Sequence, residues 1–131
     1  MSTILVVDDE LAVADFLKVV LEDEGYRVVL AQNGREGLAR LADHTPVLVL
    51  CDLMMPIMDG PALCRAMQTD PVYQAIPFVL MSARHRAPSA AEGGCNYTAF
   101  LDKPFGLDTL IALVTRLIGA PNPAPAPGNK G

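Results

Sequence analysis

Four short apolar runs, each closely followed by a polar residue, set the strongest constraint on the fold of this chain. Runs of this length, rich in Val, Ile and Leu, are typical of the buried strands of a parallel sheet. The carboxyl ends of parallel strands meet at one edge of the sheet, where ligands bind, so we expect the polar residues to converge there. The runs are residues 4–7, 47–51, 78–81 and 100–101, and the polar residues are Asp8, Asp9, Asp52, Ser82, and Lys103 after Asp102.

Amphipathic helices separate the strands. Large apolar side chains recur at the i, i+3, i+4, i+7 spacing in the first and last helical segments, and Asn33 and Asp59 are suitable N-caps for two shorter helices. Alternating strands and helices predict an α/β fold, a doubly wound five-stranded parallel sheet with helices on both faces. The predicted strands are 3–7, 26–31, 47–51, 78–81 and 98–102, and these helices are 10–24, 34–42, 60–69 and 107–118.

Two segments have unusual compositions. Residues 84–95 should hold the fourth of five helices, but Pro88, two glycines and the shortage of large apolar residues predict a short or irregular one. Residues 120–131 are rich in Pro and Ala, which predicts an extended tail or linker. We therefore assign residues 1–119 to a single domain, the number that a chain of 131 residues supports.

The composition excludes several classes of protein. A net charge of −5, with no long basic stretch, argues against a nucleic-acid-binding surface. No run approaches the roughly 20 apolar residues of a membrane span, and the N-terminus lacks a secretory signal. We expect a soluble, cytoplasmic protein without direct contact to nucleic acid or membrane. The three cysteines lack the spacing of a disulfide framework or a zinc site, and we expect Cys51 and Cys64 to pack in the core.

The residues expected at the sheet edge support phosphoryl chemistry. Asp8, Asp9 and Asp52 would repel one another there, and a divalent cation would relieve that repulsion. Hard oxygen ligands without nearby His or Cys favour Mg²⁺. A carboxylate beside such a metal is a competent nucleophile toward phosphorus and gives an aspartyl phosphate. Lys103 and the Ser82 hydroxyl are placed to stabilise charge on the transferred oxygens.

Four motifs, taken in this order, resemble the response-regulator receiver domain of two-component signalling. The resemblance covers about residues 3–118, and it implies a CheY-like, flavodoxin-like fold with the strand order 2-1-3-4-5. The motifs are Ile4-Leu5-Val6-Val7-Asp8-Asp9-Glu10, Cys51-Asp52-Leu53-Met54-Met55-Pro56-Ile57-Met58-Asp59-Gly60, Leu80-Met81-Ser82-Ala83 and Phe100-Leu101-Asp102-Lys103-Pro104-Phe105.

The resemblance implies a phosphorylation-activated signalling module. Asp52 would accept a phosphoryl group from a histidine kinase or a histidine phosphotransfer protein in a Mg²⁺-dependent reaction. The module would then switch the face that binds a downstream protein. A module of this kind catalyses only its own phosphorylation and dephosphorylation, so it is not an enzyme that acts on a separate substrate.

The resemblance also assigns the metal ligands. Asp9 would bind Mg²⁺ directly, Asp8 mostly through water, and Asp52 and the backbone carbonyl of Met54 would complete the protein ligands.

The remaining roles concern the switch. Ser82 and Phe100 would form the switch pair, in which the hydroxyl moves toward the phosphoryl group and the ring turns inward. Lys103 would pair with the phosphoryl oxygens. The Lys103–Pro104 peptide bond would be cis.

Three positions bear on how this chain compares with the family. Leu113 stands where DNA-binding relatives that dimerise symmetrically often carry Arg, so we do not expect that dimer. Met54 and Arg84 occupy positions that tune loss of the phosphoryl group, and their bulk and charge suggest slow hydrolysis.

Other functions fit the residues less well. A phosphate-independent interaction module of the same fold is the main alternative, although all five chemical residues are present. Phosphatases and phosphomutases with an Asp nucleophile carry a motif with a second Asp two positions on, and this chain has Met54 there. A flavin-nucleotide carrier would need a turn that attracts phosphate, and the acidic turn at Asp8 repels it.

Overall fold

The computed structural model of the chain describes residues 2–83 and 95–120. In this part of the chain five strands form one parallel sheet in the order β2-β1-β3-β4-β5, which confirms the predicted fold class. The strands are β1 Thr3–Val7, β2 Arg27–Ala31, β3 Leu48–Asp52, β4 Phe78–Ser82 and β5 Ala99–Asp102.

Four helices of the described residues connect these strands. They are α1 Leu11–Asp23, α2 Gly34–His44, α3 Gly60–Gln68 and α4 Leu107–Ile118. The predicted boundaries agree to within two residues. The irregular helix predicted at 84–95 lies, apart from its last residue, outside the described residues, and so does the tail from residue 121 onward.

The caps of α2 and α3 explain where these two helices begin. The Asn33 side chain accepts a hydrogen bond from the Glu36 amide at 2.9 Å, and the Asp59 side chain accepts one from the Ala62 amide at 2.9 Å. Each cap satisfies an amide that has no partner within the helix. Both N-caps predicted from the sequence are therefore confirmed.

The hydrophobic core lies on both faces of the sheet. Alternate strand residues point to opposite faces, so Ile4 and Val6 pack in one cluster while Leu5 and Val7 pack in the other. Residues of α1 and α4 cover the first face, and residues of α2 and α3 cover the second. Each buried Leu or Ile contributes about 2 kcal/mol to folding. This burial fixes the sheet and therefore the positions of its strand ends.

The strand register places the polar residues side by side. Val7 pairs with Cys51, so Asp8 and Asp52 both follow directly on this last paired position. Further along the sheet Asp52 pairs with Met81, and Ser82 pairs with Asp102, the residue before Lys103. The convergence predicted from the four apolar runs is a consequence of this register.

Among residues 2–83 and 95–120, none of the helices combines the length and the hydrophobicity of a membrane span.

Thr45 offers a test of local backbone strain. It is exposed and ends α2 in a left-handed conformation, with φ of 45°. A residue with a Cβ is disfavoured in this conformation, and glycine is preferred at such helix ends. Thr45→Gly should therefore raise the free energy of unfolding by about 1 kcal/mol. The measurement is urea denaturation followed by circular dichroism. Thr45→Ala retains the Cβ, so an equal gain in that variant would show that strain is not the cause.

Candidate functional site

The buried polar residues of the described chain gather at one place. Asp8, Asp52 and Ser82 are 1%, 9% and 4% exposed, and each lies at the carboxyl end of a strand. Burying a carboxylate is costly unless it is paired or hydrogen-bonded. Two buried carboxylates on neighbouring strands therefore need a cation close to them.

The ammonium group of Lys103 is the cation that contacts both buried carboxylates. Its Nζ atom lies 2.9 Å from Asp8 Oδ2 and 3.1 Å from Asp52 Oδ1, and it lies 3.4 Å from Glu10 Oε1. The side chain of Lys103 is only 12% exposed, so the contacts to Asp8 and Asp52 are shielded from solvent. Charge-assisted hydrogen bonds of this kind are about twice as strong as neutral ones.

The carboxylates outnumber the ammonium group. One oxygen from each of Asp8, Glu10 and Asp52 lies within 4.8 Å of the other two, a grouping that could hold a metal ion. Hard oxygen donors without a sulfur or imidazole ligand suit Mg²⁺. The donor set therefore fits the metal that the sequence predicts.

The structure places Glu10 in the carboxylate cluster with Asp8 and Asp52, a position that the sequence did not indicate. Asp9 is not part of this cluster. The Glu10 amide donates a hydrogen bond to Asp8 Oδ1 at 2.9 Å, which closes a tight turn after β1. This turn places the Glu10 carboxylate 3.4 Å from Lys103 Nζ, and both Glu10 and Asp9 are exposed. The only sequence signal for Glu10 is its position directly after the two aspartates. The direct role of Asp9 in Mg²⁺ binding stays a prediction.

The surroundings of Asp52 shift the pKa of its carboxyl group. Burial raises the pKa of this carboxyl, and the charges of Asp8 and Asp9 raise it further, while Lys103 opposes them. Burial lowers the pKa of Lys103, but its hydrogen bond and charge interaction with Asp8 and its contacts with Asp52 outweigh that effect, so its pKa is raised. Three carboxylates, those of Asp8, Glu10 and Asp52, surround this one ammonium group, so the site holds more negative charge than Lys103 balances.

The predicted switch residues lie on adjacent strands. Ser82 is two residues beyond Leu80, which pairs with Phe100, so Ser82 and Phe100 point to the same face of the sheet. Ser82 is buried and Phe100 is half-buried. The peptide bond between Lys103 and Pro104 is cis, as the resemblance implied.

Two further predicted residues are Met54, which lies in the loop after β3, and Arg84, which lies outside the described residues. The Met54 side chain is 61% exposed in the loop after β3, and the role of its carbonyl stays a prediction. Arg84, the second residue predicted to slow hydrolysis, lies outside the described residues.

Gly60 supports the site through its lack of a side chain. A Cβ on Gly60 would lie 2.5 Å from the Asp52 carbonyl oxygen and 2.9 Å from Leu80 Cδ2. The backbone of α3 therefore approaches the end of β3 more closely than any other residue type permits. This contact gives the Asp-Gly of the second motif a physical reason.

Gly60→Ala tests this close approach. The added methyl group must displace the backbone of Asp52 or of α3, so the free energy of unfolding should fall by about 2 kcal/mol. Gly106→Ala is the matched control, because a Cβ at Gly106 would meet nothing within 4 Å. Both variants are compared with the parent chain by urea denaturation. Equal stability of the two variants would contradict the proposed contact.

The raised pKa of Asp52 predicts a pH dependence of stability. The Asp52 carboxyl binds its proton more readily in the folded state. Its contribution to the free energy of unfolding therefore increases as the pH falls through the raised pKa. This contribution is fully present once the pH lies below the pKa that the Asp52 carboxyl has in the unfolded chain. Asp52→Asn lacks the charge and should be more stable than the parent at pH 7 by about 1 kcal/mol, with a difference that shrinks in acid.

The measurement for Asp52→Asn is urea denaturation between pH 4 and pH 8 with EDTA present. Asp15→Asn, on the exposed face of α1, is the control and should change stability by less than about 0.5 kcal/mol. A destabilised Asp52→Asn at neutral pH would mean that the pair with Lys103 outweighs the repulsion.

Known proteins match the chain over most of its length. The family profile of the response regulator receiver domain matches residues 4–115. Response regulator Rre1 of Synechocystis sp. is 38% identical over 120 residues, which are 88% of this chain and 51% of that protein. The chain spans about half the length of the curated relatives it matches.

Solved structures agree with the fold. Chemotaxis protein CheY4 of Vibrio cholerae has a TM-score of 0.83 at 28% identity, covering 90% of this chain and 99% of that one. The signal receiver domain of a signal transduction histidine kinase from Syntrophus aciditrophicus has a TM-score of 0.82 at 32% identity, covering 97% of both chains.

Proposed function

The chain belongs to the response regulator receiver domain family, and from that premise we propose that it is a signalling module activated by phosphorylation of Asp52. The observation that carries the proposal is the buried Asp52 carboxylate, which Lys103 contacts at 3.1 Å within a cluster of carboxylates. Carboxylates of this kind act as nucleophiles toward phosphorus when neighbouring cations offset the charge of the phosphoryl group.

The proposed reaction transfers a phosphoryl group to Asp52. A carboxylate oxygen attacks the phosphorus atom of a phosphohistidine or a small acyl phosphate. The bond from phosphorus to the donor nitrogen or oxygen breaks, and the donor leaves with the bonding electron pair. The product is an aspartyl phosphate, and the protein catalyses this step and its hydrolysis on itself alone.

The proposed metal ligands are Asp8, Asp9, Asp52 and the Met54 carbonyl, and Glu10 adds a fourth carboxylate nearby. When bound, Mg²⁺ would supply positive charge that offsets the repulsion between these carboxylates and the phosphoryl oxygens. Lys103 already lies within hydrogen-bonding distance of Asp52, so it can contact the same oxygens. The Ser82 hydroxyl at the end of β4 is the proposed additional donor.

Phosphorylation would act on a two-state equilibrium. It adds about −1.5 to −2 charges and three acceptor oxygens beside Lys103 and Ser82. A swing from 1:99 to 99:1 requires about 5.5 kcal/mol of preference for the active state. We propose that the Ser82 contact supplies part of this preference and that Phe100, on the same sheet face, turns inward in response. Binding of the downstream protein would supply the rest.

A groove beside the site suits the proposed phosphodonor protein. It has a volume of about 510 Å³, and Lys103 and Glu10 line it together with apolar side chains. A protein that presents a phosphohistidine could bury apolar surface there and reach Asp52. We propose a histidine kinase or a histidine phosphotransfer protein as this partner. The apolar lining residues include Val13, Phe16, Pro104 and Phe105.

The remaining sequence expectations stay proposals. They are a receiver domain over residues 1–119, a linker or tail over 120–131, a cytoplasmic location and the absence of direct nucleic-acid binding. The phosphate-independent interaction module is not favoured, because Lys103 contacts both Asp8 and Asp52, an arrangement suited to phosphoryl transfer.

Acetyl phosphate provides a direct test. With Mg²⁺ and acetyl phosphate, the purified chain should gain the mass of one phosphoryl group, and Asp52→Asn should gain none. Removal of Mg²⁺ with EDTA should reduce labelling at least about tenfold, because the repulsion at the site is then unrelieved. Intact mass spectrometry measures both effects.

Asp102→Asn is the matched control for this labelling. Asp102 is an exposed carboxylate at the end of β5, on the same sheet edge, and the variant should label like the parent. A parent chain that stays unmodified, or an Asp52→Asn variant that still labels, would refute the proposed phosphoacceptor.

A further inference from the structure

Two of the three cysteines lie against each other on the sheet face covered by α2 and α3. Cys64 belongs to α3, and Cys95 lies four residues before β5. They are 1% and 3% exposed and belong to the same buried cluster. Cys95 also helps to raise the pKa of the Cys64 thiol, which requires the two side chains to lie close together. The site proposed for phosphorylation uses neither thiol.

The packing of α3 explains this contact. One helical turn beyond Cys64, the Gln68 Nε2 atom donates a hydrogen bond to the Asn96 carbonyl oxygen at 2.7 Å. Residues four apart lie on the same side of a helix, so Cys64 and Gln68 share the side that faces residues 95 and 96. The two contacts form one row between α3 and the segment that leads into β5. The Gln68 hydrogen bond therefore holds α3 against the segment that carries Cys95.

We propose that Cys64 and Cys95 are a thiol oxidation site that forms an intramolecular disulfide. The two thiols lose two protons and two electrons, and one sulfur–sulfur bond replaces two sulfur–hydrogen bonds. Hydrogen peroxide is the oxidant: one sulfur attacks a peroxide oxygen, releasing water and leaving a sulfenic acid. The second sulfur attacks the sulfenic sulfur, and a second water leaves.

Cys51 serves as the internal comparison. Its Sγ atom donates to the carbonyl oxygen of the adjacent Asp52 at 3.3 Å, within a fully buried strand. It therefore has a local hydrogen-bond partner, whereas Cys64 and Cys95 share the buried cluster beneath α3. The oxidation proposed here does not depend on phosphorylation of Asp52.

The oxidation should be slow. Burial raises the pKa of the Cys64 thiol, and the neighbouring Cys95 raises it further. The thiolate is the reactive form, so few molecules are reactive at neutral pH at any moment.

The disulfide would also change the chain between the two cysteines. It closes a loop from residue 64 to residue 95, which contains β4 and therefore Ser82. A loop of this length restricts the unfolded chain, so the oxidised protein should melt about 10 °C higher than the reduced protein.

Peptide mapping of the full chain tests the pairing. Reduced protein is treated with hydrogen peroxide, and the remaining thiols are alkylated under denaturing conditions. Trypsin is combined with a protease that cleaves before Asp, which separates Cys51 from Cys64 at Asp52 and Asp59. The expected result is a peptide that joins Cys64 to Cys95, with Cys51 alkylated. Three alkylated cysteines, a link to Cys51, or sulfinic acid at either cysteine without a disulfide would overturn the proposal.

Melting curves of three variants give an independent readout. Cys51→Ala should retain the rise in melting temperature on oxidation, whereas Cys64→Ala and Cys95→Ala should lose it. Circular dichroism of the reduced proteins shows whether each variant folds. If a variant does not fold, the peptide map of the parent chain decides the pairing. A rise that persists in Cys64→Ala and Cys95→Ala would refute the assignment.

Discussion

The ammonium group of Lys103 holds together carboxylates that would otherwise repel one another at the end of a buried sheet. It contacts Asp8 and Asp52, which lie on neighbouring strands and are almost completely buried. Burial, assisted by the charges of Asp8 and Asp9, keeps the pKa of Asp52 raised despite Lys103. The carboxylates that Lys103 does not neutralise make the site receptive to a divalent cation. A phosphoryl group added to Asp52 would change this balance, which is the physical basis of the proposed switch.

The sheet makes that arrangement possible. Parallel pairing in the order β2-β1-β3-β4-β5 puts the carboxyl ends of β1, β3, β4 and β5 on one edge, and apolar burial on both faces fixes their register. The short turn after β1 and the close approach of Gly60 to Asp52 then adjust the backbone at that edge. The core and the site are therefore coupled, since a shift of α3 moves the strand end that carries Asp52.

Much of the fold and part of the site could be predicted from the sequence. Apolar runs and helical spacing are local patterns, and they predicted the strands and the described helices to within two residues. The N-caps at Asn33 and Asp59 were predicted for the same reason, because a cap bonds to an amide three residues away. Glu10 could not be recognised, since its place in the site depends on which way a two-residue turn directs its side chain.

The sequence by itself determined the alternation of strands and helices and the polar residues at the strand ends, because these features depend on periodicity and on neighbours along the chain. The tertiary structure decided which groups touch: Lys103 with Asp8 and Asp52, Glu10 rather than Asp9 beside the lysine, and Cys64 with Cys95. These contacts join residues that are up to 95 positions apart, counted between Asp8 and Lys103. Their distances follow from strand register and helix packing, which no local pattern encodes.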